Sequence, residues 1–168
     1  MSEFTYRTYQ PDDLAVLQEI TALTFGPVSI DRNMESILGP FGSGDWQNRK
    51  TAAIAEDCRI QPDGVIVVLD RKSRVVGYVT TRLNATSGIG WIPNLAVHPD
   101  CQGLGLGRAL LEHAIEFLRM SGMQVAKIET LEQNPIGQGL YPSLGFQEVA
   151  RQIHFAMRLD RVEDEVSE

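Results

Sequence analysis

The chain predicts a mixed α/β fold: one central mixed sheet with helices on both faces. Three observations predict it. Short stretches rich in Val, Ile, Thr and aromatic residues recur at residues 4–9, 65–70, 74–83, 91–97, 125–131 and 149–159. Stretches of helical period separate the first from the second and the fourth from the fifth. A glycine-punctuated run then joins the apolar stretch at 91–97 directly to an amphipathic segment.

The elements follow in order. Residues 4–9 form a first strand, and Pro11, Asp12 and Asp13 open a helix with acidic residues in its first turn and Leu14, Leu17 and Ile20 inward. Gly26 and Pro27 end it. Residues 28–60 are mostly helical but broken at 39–44, a Gly-Pro-Phe-Gly-Ser-Gly stretch, after which Asp45 caps a second piece running to Cys58. Residues 61–64 make a turn, and 65–70 and 74–83 form a hairpin around 71–73. A turn at 86–88 leads into the strand at Trp91. In the helix after the glycines, Leu106, Leu110, His113, Ala114 and Leu118 share a stripe, and Gly122 stands where a C-terminal cap belongs. Residues 125–131 give a fifth strand. Residues 149–159 give a closing strand, with Ile153, Phe155 and Met157 on one face. Residues 1–160 read as one domain and 161–168 as an acidic, solvated tail.

Composition narrows the function classes. A hydrophobic fraction of 43% and a charged fraction of 22% are those of an ordinary globule. The net charge of −7 opposes nonspecific nucleic-acid binding and mildly favours cationic partners. No run of 18 apolar residues is present and residues 1–10 lack a signal's apolar core, so a cytoplasmic protein without a membrane partner is expected. Cys58 and Cys101 have no metal-site spacing, and no metal is expected.

The chemistry is concentrated in residues 91–111, WIPNLAVHPDCQGLGLGRALL. Gly103, Gly105 and Gly107 alternate at the start of a helix, where the backbone amides of residues 104–108 are unsatisfied donors backed by the positive end of the helix dipole. That is a cradle for phosphate. A dinucleotide fingerprint fails, because counting from Gly103 or Gly105 its last glycine falls on Arg108 or Leu110. A P-loop fails because the chain contains no Gly-Lys pair. What remains is Gln102-x-x-Gly105-x-Gly107 after a strand ending Leu95-Ala96-Val97-His98-Pro99.

This arrangement resembles the pyrophosphate signature of the GCN5-related N-acetyltransferases. A second segment, Asn134 to Phe146, matches that family's closing pattern at Asn134, Leu140, Tyr141, Gly145 and Phe146. It departs at Gly137, where alanine is usual, and at Pro142, which predicts an irregular turn. The resemblance implies a twisted, mostly antiparallel sheet of six to seven strands, splayed at an acetyl-CoA site. It implies that Leu95, Ala96 and Val97 pair with the pantetheine arm, and that Gln102, Gly103, Leu104, Gly105, Leu106, Gly107 and Arg108 hold the pyrophosphate. Asn134 would bond the pantetheine and Tyr141 would stand beside the sulfur as acid. Asn134 also reads as a plain N-cap before Pro135.

Members resembling the ribosomal-protein N-terminal acetyltransferases carry a glutamate base at the spacing of Glu129. Alternation also sets Lys127 on the same face, which leaves a simple surface ion pair as the other reading. The implied function is acetyl-CoA-dependent acetylation of a primary amine, on a small molecule or peptide. A non-catalytic CoA-binding module is the alternative. Trp91 and Asn94 are candidates for the acceptor wall or for strand packing, and the closing strands are compatible with a homodimer.

Overall fold

A computed structural model describes residues 4–160. The expected tail at 161–168 lies outside the described residues. Five strands form one sheet in the order β1-β2-β3-β4-β5: β1 Thr5–Thr8, β2 Ile66–Leu69, β3 Val75–Asn84, β4 Ile89–Val97 and β5 Val125–Ile128. The first four pair antiparallel and β5 joins β4 in parallel. The helices are α1 Leu14–Thr24, α2 Ile30–Leu38, α3 Trp46–Ile60, α4 Leu106–Met120 and α5 Pro135–Ser143. None is long and apolar enough to cross a membrane.

Helices cover both faces, as expected. Leu106, Leu110, Leu111, Ala114 and Leu118 of α4 pack on Ile66, Val68, Val79 and Ile92 of the sheet. Leu17 and Ile20 of α1, with Ile54 and Cys58 of α3, pack on Val67, Leu69, Tyr78 and Ala96 from the other side. The caps are local. Ser29 accepts from the amide of Arg32 at the start of α2, and Asp45 accepts from that of Asn48 at 2.9 Å at the start of α3. Pro142 is accommodated in the last turn of α5, which closes with the tighter bond from the Leu144 amide to the Tyr141 carbonyl.

Three expectations are corrected. The sheet has five strands among the described residues, not six or seven, because residues 149–159 pair with no strand. A strand needs an edge to bond to, and this segment is carried elsewhere: Arg158 donates to the carbonyls of Leu38 and Pro40 beyond α2. The fifth strand stops at Ile128 rather than at residue 131, since its only partner diverges there. His113 is exposed and lies against Tyr6, with ring centroids 4.6 Å apart, instead of joining the buried stripe.

Candidate functional site

β4 and β5 stay paired only from Ile89↔Val125 to Ile92↔Ile128, and β4 continues alone to Val97. The split begins where Pro93 stands. Across β3, Thr80 faces Asn94 while Arg82 faces Trp91, so β4 carries one extra residue at 92–93. A bulge of this kind bends a strand, and proline there lacks the N–H that a ladder needs. Beyond it Leu95, Ala96 and Val97 keep β3 on one edge and have no strand on the other.

The chain then turns. The His98 ring nitrogen Nδ1 accepts from the amide of Asp100, and the Gln102 side-chain amide donates to the Val97 carbonyl at 3.0 Å. Gln102 therefore ties the turn to the end of β4. Gly103 and Gly105 have φ of +76° and +80°, which L side chains rarely adopt, and both face open space. Gly105 is the N-cap of α4, and its carbonyl takes the first helical bond from the amide of Ala109. Among the described residues, the amides of residues 103–108 have no acceptor in the chain. Six consecutive free donors at a helix N-terminus suit an anion. Arg108 is turned toward Ser143 at 2.6 Å, which fastens the start of α4 to α5.

α5 forms the next wall. Asn134 is its N-cap: its carbonyl oxygen accepts from the Gly137 amide at 3.2 Å and its amide donates to the Thr130 hydroxyl at 2.9 Å. A Cβ on Gly137 would stand 2.9 Å from both Asn134 and Thr130 and 3.1 Å from the Tyr141 ring. The departure from alanine therefore lets these three side chains close on one another. Tyr141 packs edge-on to Phe146 at 6.2 Å. Burial pushes its phenol above the usual range, and the neighbouring Thr130 hydroxyl acts against that shift.

Glu129 is paired with Lys127 at 2.5 Å, both about half exposed, so the ion pair read from strand alternation is present. Lys127 Nζ lies 5.8 Å from the Trp91 ring, and the Arg82 guanidinium lies 5.5 Å from it. Thr130, which follows Glu129 in the chain, stands against the Tyr141 hydroxyl.

Two features escaped the sequence reading. Asp57 of α3 is buried and accepts from Thr80 at 2.9 Å, from Asn94 at 2.6 Å and from Arg82 at 2.7 Å. Asn94 in turn accepts from Lys50 at 2.6 Å, whose ammonium also sits 4.3 Å from the Phe25 ring. Burial lowers the Lys50 pKa, against the pull of Asp31 and Asp57. An aspartate on the same helix face as Ile54 and Cys58 was the available signal. The second feature is Gln133, whose amide donates to the Pro27 carbonyl at 2.6 Å and exchanges bonds with Asn33. It joins the loop after β5 to the segment between α1 and α2, and no local pattern announces it.

Residues 32–146 match the model of the Acetyltransferase (GNAT) family. The ribosomal protein bS18 alanine N-acetyltransferase of Escherichia coli K12 is 41% identical over 73 residues, 44% of this chain and 49% of that protein. A mycothiol acetyltransferase of an Arthrobacter species is 32% identical over 99 residues, 56% of this chain and 30% of that protein. The chain thus spans about half or less of the curated relatives it matches. Among solved structures, a putative acetyltransferase from Salmonella typhimurium with its cofactor acetyl-CoA superposes with a TM-score of 0.69 at 24% identity, covering 95% of this chain and 88% of that one.

Proposed function

Since the chain belongs to the Acetyltransferase (GNAT) family, we propose that it moves the acetyl group of acetyl-CoA to a primary amine by direct attack, with no covalent enzyme intermediate. The observation that carries this reading is the run of unbonded amides at residues 103–108, placed directly after the split between β4 and β5. Those amides hold the diphosphate. The free edge of Leu95, Ala96 and Val97 receives the pantetheine amides as a strand would. The bound co-substrate supplies an already activated thioester, so the chain's own work is positioning and the movement of one proton.

Glu129 takes that proton from the attacking amine. At pH 7 only about one lysine side chain in a thousand is unprotonated, a handicap of about 4–5 kcal/mol unless a base relieves it. The Glu129–Lys127 pair is exposed, and such pairs are worth less than about 1 kcal/mol. An incoming ammonium can therefore displace Lys127 at little cost. Tyr141 gives its phenolic proton to the departing sulfur, and its burial keeps the phenol protonated at neutral pH. Asn134 caps α5 with one bond and steadies Thr130 with the other, so its part is to hold Tyr141's neighbour in place. The acceptor is a small-molecule or peptide amine.

Isothermal titration with CoA is the direct test, followed by thiol release over a panel of amines. Binding and amine-dependent thiol release are expected. Absence of binding at millimolar CoA overturns the reading, and binding without thiol release from any amine leaves a CoA-binding module instead.

A further inference from the structure

Three polar side chains converge where α5 begins, and their hydrogen bonds run in one direction. The Asn134 side-chain oxygen accepts from the Gly137 amide as the helix cap, so its nitrogen is the end turned to Thr130. That nitrogen donates to the Thr130 hydroxyl at 2.9 Å. A hydroxyl whose oxygen accepts still has its own proton to give, and the acceptor beside it is the Tyr141 oxygen. The groups enclose a single point. A methyl on Gly137 would lie 2.9 Å from both the Asn134 nitrogen and the Thr130 oxygen, and 3.1 Å from the Tyr141 ring.

We propose that Thr130 is a positioning residue for the acid: it accepts from Asn134, donates to the Tyr141 oxygen, and so leaves the phenolic proton free for the departing sulfur. This rests on the reading of Tyr141 as that acid. In the step, the Tyr141 O–H bond breaks, an S–H bond forms on CoA, and the phenolate left behind keeps the Thr130 hydrogen bond. The help is needed because the transfer runs uphill, from a phenol of pKa about 10 to the thiolate of a thiol of pKa about 8.5. Burial raises the phenol further, and the Thr130 hydroxyl works against it. No charged side chain among the described residues acts on this phenol, so Thr130 is its one polar influence.

Thr130→Val keeps the shape and removes the hydroxyl, whereas Thr130→Ser keeps the hydroxyl. Thr130→Val is expected to lower kcat about fivefold to tenfold, with the KM for the amine little changed, and Thr130→Ser to retain most of the rate. In the Tyr141→Phe background, Thr130→Val should cost nothing further, because the two residues act as a unit. NMR titration of isotope-labelled tyrosine, with Tyr141→Phe assigning the signal, should show the Tyr141 phenol moving to higher pH in Thr130→Val. A Thr130 that served only the fold would lower the melting temperature and leave that titration in place. An unchanged titration, or a Thr130→Val rate loss of equal size with and without the Tyr141 hydroxyl, overturns this proposal alone. A fully active Tyr141→Phe enzyme overturns the acid reading and this proposal with it.

Discussion

In the roles proposed for them, Tyr141 as acid and Glu129 as base make opposite demands on their surroundings. An acid must keep its proton until the sulfur leaves, and burial provides that for Tyr141. A base must reach the incoming amine, and half-exposed Glu129 is accessible but shares its carboxylate with Lys127. Tyr141→Phe is expected to lower kcat by about a hundredfold, with the KM for acetyl-CoA changed far less. Glu129→Gln is expected to lower kcat/KM for an alkyl amine most strongly near neutrality. That deficit should shrink as pH rises toward the amine's own pKa of about 10.4, because free amine needs no base. Rate profiles for both variants check the assignments, and a pH-independent Glu129→Gln deficit would remove that residue from proton transfer.

At the level of elements, the turn into α4 separates two reasons for being glycine. Gly105 sits at positive φ, where a side chain costs about 1–2 kcal/mol of backbone strain. A Cβ on Gly107 meets only Leu140 at 3.8 Å, an ordinary contact. Gly105→Ala should therefore lower both the melting temperature and the affinity for CoA. Gly107→Ala should leave stability unchanged or raise it by up to about 1 kcal/mol, the helix-propensity gain of alanine over glycine. If Gly107→Ala still weakens CoA binding, as expected from close approach of the diphosphate, calorimetry and thermal melts together separate ligand contact from folding. The turn was legible in the sequence because its determinants are local: a strand end, a His-Pro break, and glycines at fixed offsets. The split beside it was legible only through the family pattern. Pro93 and its bulge sit within an otherwise unremarkable apolar run.

For the whole molecule, the buried Asp57 network joins α3 to β3 and β4 just before the free edge at residues 95–97. Removing one partner of a buried charge cluster costs about 3–5 kcal/mol, since the remaining charges lose their compensation. Asp57→Ala should fall in that range by denaturant unfolding, leaving Arg82 partly unpaired and Asn94 loose. A loss under about 1 kcal/mol would mean that water replaces the carboxylate. Apart from its place on the buried face of α3, nothing near Asp57 hints at this network, because Thr80, Arg82 and Asn94 lie 23, 25 and 37 residues further along the chain. The same holds for Gln133, whose partners lie 100 and 106 residues away.

From residue order alone came the helix starts, the β2–β3 hairpin, the layering of helices on both faces and the glycine cradle. Each depends on neighbours within one or two turns of chain. The tertiary structure alone decided that Asp57 gathers Thr80, Arg82 and Asn94, that Gln133 reaches Pro27 and Asn33, and that residues 149–159 leave the sheet. Those outcomes depend on which groups arrive beside them from distant parts of the chain. Alternating apolar residues encode a strand's faces, but a strand forms only where a free edge lies within reach.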